Sequence, residues 1–113
     1  MRFLFLIHGD DEAEAALTPE ERRAIVDEHI AYGAMLRDRG AHVLGEALTG
    51  EAVTVRPGEK PFVVDGPFAE TKEGVGGFYV VECASRDEAV ELAAQVPRSP
   101  GVVVKVLLIA DLS

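Results

Sequence analysis

The chain has 113 residues, 48% apolar and 27% charged, and its 20 Asp and Glu against 11 Lys and Arg give a formal net charge of −9. That length predicts one domain with a modest core, and the composition excludes disorder as a description of the whole. The acidic field repels a phosphate backbone and no basic cluster extends beyond Arg22-Arg23, so nucleic acid is not an expected partner. The single cysteine, Cys83, rules out an internal disulfide and a Cys-rich zinc site.

Residues 2 to 8 read as a strand, with Phe3, Phe5 and Ile7 on one face and Leu4, Leu6 and His8 on the other. The apolar run is too short for a signal-peptide core or a membrane span and stops at Gly9-Asp10-Asp11-Glu12. A cytoplasmic protein without a membrane partner is therefore expected. Thr18-Pro19-Glu20-Glu21 is a capping box with Pro at the first helical position, opening a helix to about Arg39 that Gly40 stops. Ile25, His29, Tyr32 and Leu36 share one stripe of that helix, flanked by Val26, Ile30 and Gly33.

From Ala41 the period changes. Residues 42 to 48, 53 to 56 and 62 to 65 read as strands, with Pro57-Gly58-Glu59-Lys60 a hairpin-like turn between the last two. Asp65-Gly66-Pro67 then opens a loop to about Gly74. A strand over 78 to 83 follows, with Cys83 an inert buried thiol at its end. Ser85 and Glu88 form a second capping box, and Ala89, Leu92, Ala93 and Val96 make the apolar side of a second helix. Pro97, Pro100 and Gly101 end it, and residues 102 to 109 form the last strand.

This order predicts an α+β, ferredoxin-like domain with a β-hairpin inserted in its middle. Two helices cover only one face of such a sheet. A second copy packed sheet to sheet is the simplest cover for the other, so a homodimer is expected.

The segment Asp65 to Glu73 reads DGPFAETKE, and Gly76 to Tyr79 reads GGFY. Nine consecutive residues and a second motif at the expected spacing resemble the DGPF group of the YCII-related family, and the likeness extends over nearly the whole chain. The resemblance implies a dimeric α+β barrel with a cleft between sheet and helix. The wider family is suspected of enzymatic activity because of a His and an Asp near that cleft, and one relative is a dehydrochlorinase of an aromatic ring. Many DGPF proteins have no assigned reaction and resemble products of genes beside extracytoplasmic-function sigma factors.

His29 matches the histidine of the family's helix, with Ile30 where Leu is usual. Relatives in the wider family often carry Asp-Pro after the second helix; this chain has Val96-Pro97, which leaves Asp65 as the substitute acid. A helix-borne His near a cleft suits general acid–base work, and a carboxylate beside it would orient the ring. The structural alternative for His29 is a hydrogen-bonded residue at the helix–sheet boundary, and for Asp65 a side chain folded onto its own turn.

The candidate catalytic pair is thus His29 and Asp65. Gly66, Pro67, Phe68, Lys72 and Tyr79 are candidate ligand-binding residues; Gly66 and Pro67 also serve as backbone devices of the turn. Glu70, Lys72 and Glu73 read by default as solvated loop charges. No metal or cofactor motif is present: Gly76-Gly77 does not open a helix, and His8 and His42 stand far from any second ligand in sequence.

Two functions fit these residues. One is a cofactor-independent lyase or isomerase acting on a small aromatic or lactone-like metabolite. The other is a non-catalytic module that senses a small molecule or docks on a regulatory protein such as a sigma factor.

Overall fold

The computed structural model describes residues 1–66 and 73–113. Three of the candidate ligand-binding residues, Pro67, Phe68 and Lys72, lie outside the described residues. Strand β1 (Arg2–Asp10) runs into a short helix α1 (Asp11–Ala15), capped by the Asp10 side chain, which accepts from the backbone N–H groups of Glu12 and Ala13. The second helix α2 (Pro19–Asp38) begins in the full capping box, with Thr18 Oγ1 accepting from Glu21 N–H and the Glu21 carboxylate accepting from Thr18 N–H. Gly40, at φ +70°, turns the chain out of the helix in the left-handed conformation that favours glycine.

Then follow β2 (His42–Ala47), β3 (Val53–Arg56), β4 (Phe62–Asp65), β5 (Glu73–Glu82), α3 (Arg86–Ala93) and β6 (Val103–Leu108). In the cap of α3 the Ser85 hydroxyl accepts from Glu88 N–H, but the Glu88 carboxylate reaches one residue further back, to Ala84 N–H. Two elements differ from the expectation. Helix α1 was hidden because its five residues are too few for a hydrophobic period. Strand β5 starts at Glu73 rather than near Phe78, because Gly9 and Asp10 of β1 pair with Gly74 and Glu73 and supply a ladder for residues of low strand propensity.

Four strands form one open antiparallel sheet in the order β2-β5-β1-β6, and β3 and β4 pair antiparallel as a separate two-stranded sheet. With α2 crossing from β1 to β2 and α3 from β5 to β6, the arrangement is a mixed α+β fold consistent with the ferredoxin-like order. The core lies between the helices and one face of the sheet. Phe3, Phe5 and Ile7 of β1, Tyr79 and Val81 of β5, Tyr32 and Leu36 of α2, and Ala89 and Leu92 of α3 are buried together. Phe5, Leu36, Leu92 and Val81 are sealed from solvent, each contributing about 1.5–3 kcal/mol by area. Among the described residues, no helix is long and apolar enough to cross a membrane.

Candidate functional site

The twenty-residue helix α2 does not lie flush on the sheet along its whole length. Between it and the β2–β5 edge opens a cleft of about 710 Å³, lined by Arg22, Val26, His29, Gly33 and Arg37 on the helix side and by Gly45, Gly77 and Tyr79 on the sheet side, among others. That size suits a small-molecule ligand. Val26 and Ile30 leave 52% and 65% of their surface exposed at its wall, a large apolar area for a helix to show to water.

At the cleft wall His29 Nδ1 stands 2.8 Å from the Tyr79 hydroxyl, with the two rings nearly parallel at 6.0 Å between centroids. Tyr79 is held from two sides. Its ring takes an edge contact from Tyr32 at 5.1 Å, and the buried Tyr32 hydroxyl donates to the Leu92 carbonyl at 2.7 Å, so α3 anchors Tyr32 and Tyr32 braces Tyr79. On the other side the ring lies against Gly45, its partner across β2 and β5. A Cβ at position 45 would stand 2.6 and 2.9 Å from the ring carbons Cδ1 and Cε1, closer than real side chains approach. Glycine in the middle of a strand therefore makes the room that aims the phenol at the imidazole.

Burial holds the His29 imidazole below its ordinary value, opposed by the Glu28 carboxylate. Burial also raises both tyrosines; for Tyr79 the Arg37 guanidinium opposes that rise. The pair is thus an unprotonated imidazole beside a protonated phenol at neutral pH.

The structure brings His29 and Tyr79 together and places Asp65 and Gly66 elsewhere. Asp65 ends β4, exposed and paired with Val53, and it does not line the cleft; among the described residues its carboxylate makes no hydrogen bond. Gly66 sits at φ +94° with its N–H donating to Ala52 O and its carbonyl accepting from Thr54 Oγ1, both at 2.7 Å, so backbone and Thr54 contacts tie this end of the turn. The helical period puts His29 on the stripe that faces the sheet, and the side chain beside it is Tyr79 rather than the expected Asp65. The available signal was Gly45, an isolated glycine inside an apolar strand, which marks the close approach of another group. His8 lies on the opposite side of β1, its Nε2 buried and without a partner among the described residues. Cys83 is buried just after β5, and burial raises its thiol.

The fold and cleft define a small α+β domain whose one long helix and sheet edge frame a ligand-sized space. The chain matches the YCII-related domain over residues 1–110 and belongs to that family. It is 34% identical over 96 residues to an uncharacterised protein of Rhizobium meliloti, a match covering 82% of this chain and 77% of that protein.

Proposed function

We propose that the protein is a cofactor-independent lyase or isomerase that moves a proton on a small aromatic or lactone-like metabolite, with His29 and Tyr79 as the working pair. The observation that carries this is the 2.8 Å contact of imidazole and phenol at the wall of a ligand-sized cleft. With the Nδ1 proton donated to the Tyr79 oxygen, the Nε2 lone pair is free to take a proton from carbon. The phenolic proton is then free to be donated to an oxygen on which charge develops. A return of the first proton at another carbon completes an isomerisation, and departure of a leaving group completes an elimination. The run from Asp65 to Glu73 supports placing the chain in the family's DGPF group.

The partner in this reading is a second copy. The sheet face away from the helices carries Leu4, Leu6, Leu44, Phe78, Val80 and Leu107, and Leu44 and Leu107 remain 46% and 44% exposed. Packing two such faces would close the open sheet into a dimeric barrel of cytoplasmic type. The sensing or docking alternative is favoured by one observation: no carboxylate forms an ion pair with His29 among the described residues, and the field of Glu28 is outweighed by burial.

Proton transfer is testable before the substrate is known. In D₂O, a panel of small aromatic acids and lactones is incubated with the protein and followed by proton NMR. Carbon-bound hydrogen in at least one compound should exchange or be eliminated, and His29→Ala should slow this about 10²–10⁴-fold. A panel that shows saturable binding without any exchange would favour the sensing reading.

A further inference from the structure

One face of α2 carries His29, Gly33 and Arg37 at successive turns, about 6 Å apart along the axis. Helical side chains lean toward the N-terminus, and Arg37 does so: its Nη1 lies 3.5 Å from the place a Cβ on Gly33 would occupy. The guanidinium is therefore drawn back along the cleft toward the imidazole. Glycine is a costly residue inside a helix. Here it removes the only side chain that would stand between the two groups on that face.

Arg37 has no counter-charge among the described residues, although three other side-chain ion pairs form elsewhere on this acidic chain. The two acids at the cleft do not serve it. Glu14 folds over Gly9 of β1, with Arg22 donating to its backbone carbonyl at 3.0 Å. Glu46 follows Gly45 and pairs with Phe78, so its side chain leaves on the opposite side of the sheet. Arg37, a forked cation with no ion pair among the described residues, thus faces the cleft beside a neutral imidazole.

We propose that the cleft takes a small carboxylate with an apolar body, its anionic group on the Arg37 guanidinium and its body against Val26, Ile30 and Tyr79. The planar fork matches a carboxylate bidentately. Of the two guanidinium groups at the cleft, Arg22 is engaged by the Glu14 carbonyl, and Arg37 by itself in a chain of net charge −9 is a poor seat for a phosphate ester, which calls for more positive charge. This deepens the reading above, on which it rests for the reacting end: Arg37 positions the substrate, and the His29–Tyr79 pair acts on the carbon next to the seat.

The test uses benzoate and benzamide, alike in shape and different in charge, titrated into the full-length protein while the His29 ring protons are followed by NMR. Benzoate should shift them saturably and benzamide about ten- to a hundredfold more weakly; Arg37→Gln should abolish the preference, and Arg37→Lys should retain part of it. Arg37 is exposed, so both variants should keep the wild-type circular dichroism spectrum and serve as folded controls. Equal binding of the two probes, or a benzoate preference that survives Arg37→Gln, overturns the carboxylate seat and leaves the proton-transfer reading standing. If neither probe perturbs His29, the carboxylate seat falls, and the deuterium-exchange experiment separately decides the fate of the pair.

Discussion

Replacing Gly45 with alanine tests the link between backbone and chemistry most directly. The new methyl would fall 2.6 Å from Tyr79 Cδ1, so either the ring or β2 must move. Moving the ring breaks the contact with His29 and the edge contact with Tyr32. The hydrogen bond is worth about 0.5–1.5 kcal/mol and the aromatic pair about 0.5–1.5 kcal/mol. Alanine returns about 0.5–1 kcal/mol of backbone entropy, so the net cost lies between about 0 and 2.5 kcal/mol. Urea unfolding measures it as a fall in midpoint at constant slope. The decisive arm is the same substitution made in a Tyr79→Leu background, where the ring is gone: Gly45→Ala should become neutral or mildly stabilising there, giving a coupling of at least about 1 kcal/mol. An equal cost in both backgrounds would refute the reasoning, since the methyl would then be clashing with something other than Tyr79.

Two further outcomes follow from the same geometry. Because burial lowers the His29 pKa in the folded state, the unfolded chain, titrating near 6.5, takes up the proton first as pH falls. His29 should therefore contribute stability that is full above about pH 6.5 and is lost below it, levelling off once the folded ring is also protonated; a wild-type pH–stability curve parallel to that of His29→Gln would contradict this. The proposed dimer should appear in sedimentation velocity at micromolar concentration and dissociate on Leu6→Glu, a change on the sheet face away from the core; a wild-type protein that sediments as a monomer throughout would dismiss it.

The sequence alone determined the order of the long helices and of the strands, but not the short helix α1 or the first residues of β5. The capping box at Thr18, the Ser85 N-cap, the stop at Gly40 and the strand periods of β1 and β6 are local signals, readable because each depends on a few adjacent residues. It also put His29 on the inward stripe of α2, which a 3.6-residue period suffices to do. What it could not supply was the partner. Asp65 is a reasonable acid in sequence, but its position is set by the β3–β4 pairing, whereas Tyr79 is set by the β2–β5 register, a contact between residues far apart in the chain. Only the tertiary structure decides which side chains meet across that register, because a slip of one residue would turn Tyr79 to the other face and leave Gly45 with nothing to accommodate. The lean of Arg37 over Gly33 is of the same kind: the spacing is local, but the cleft that gives it meaning exists only once α2 is laid across the sheet.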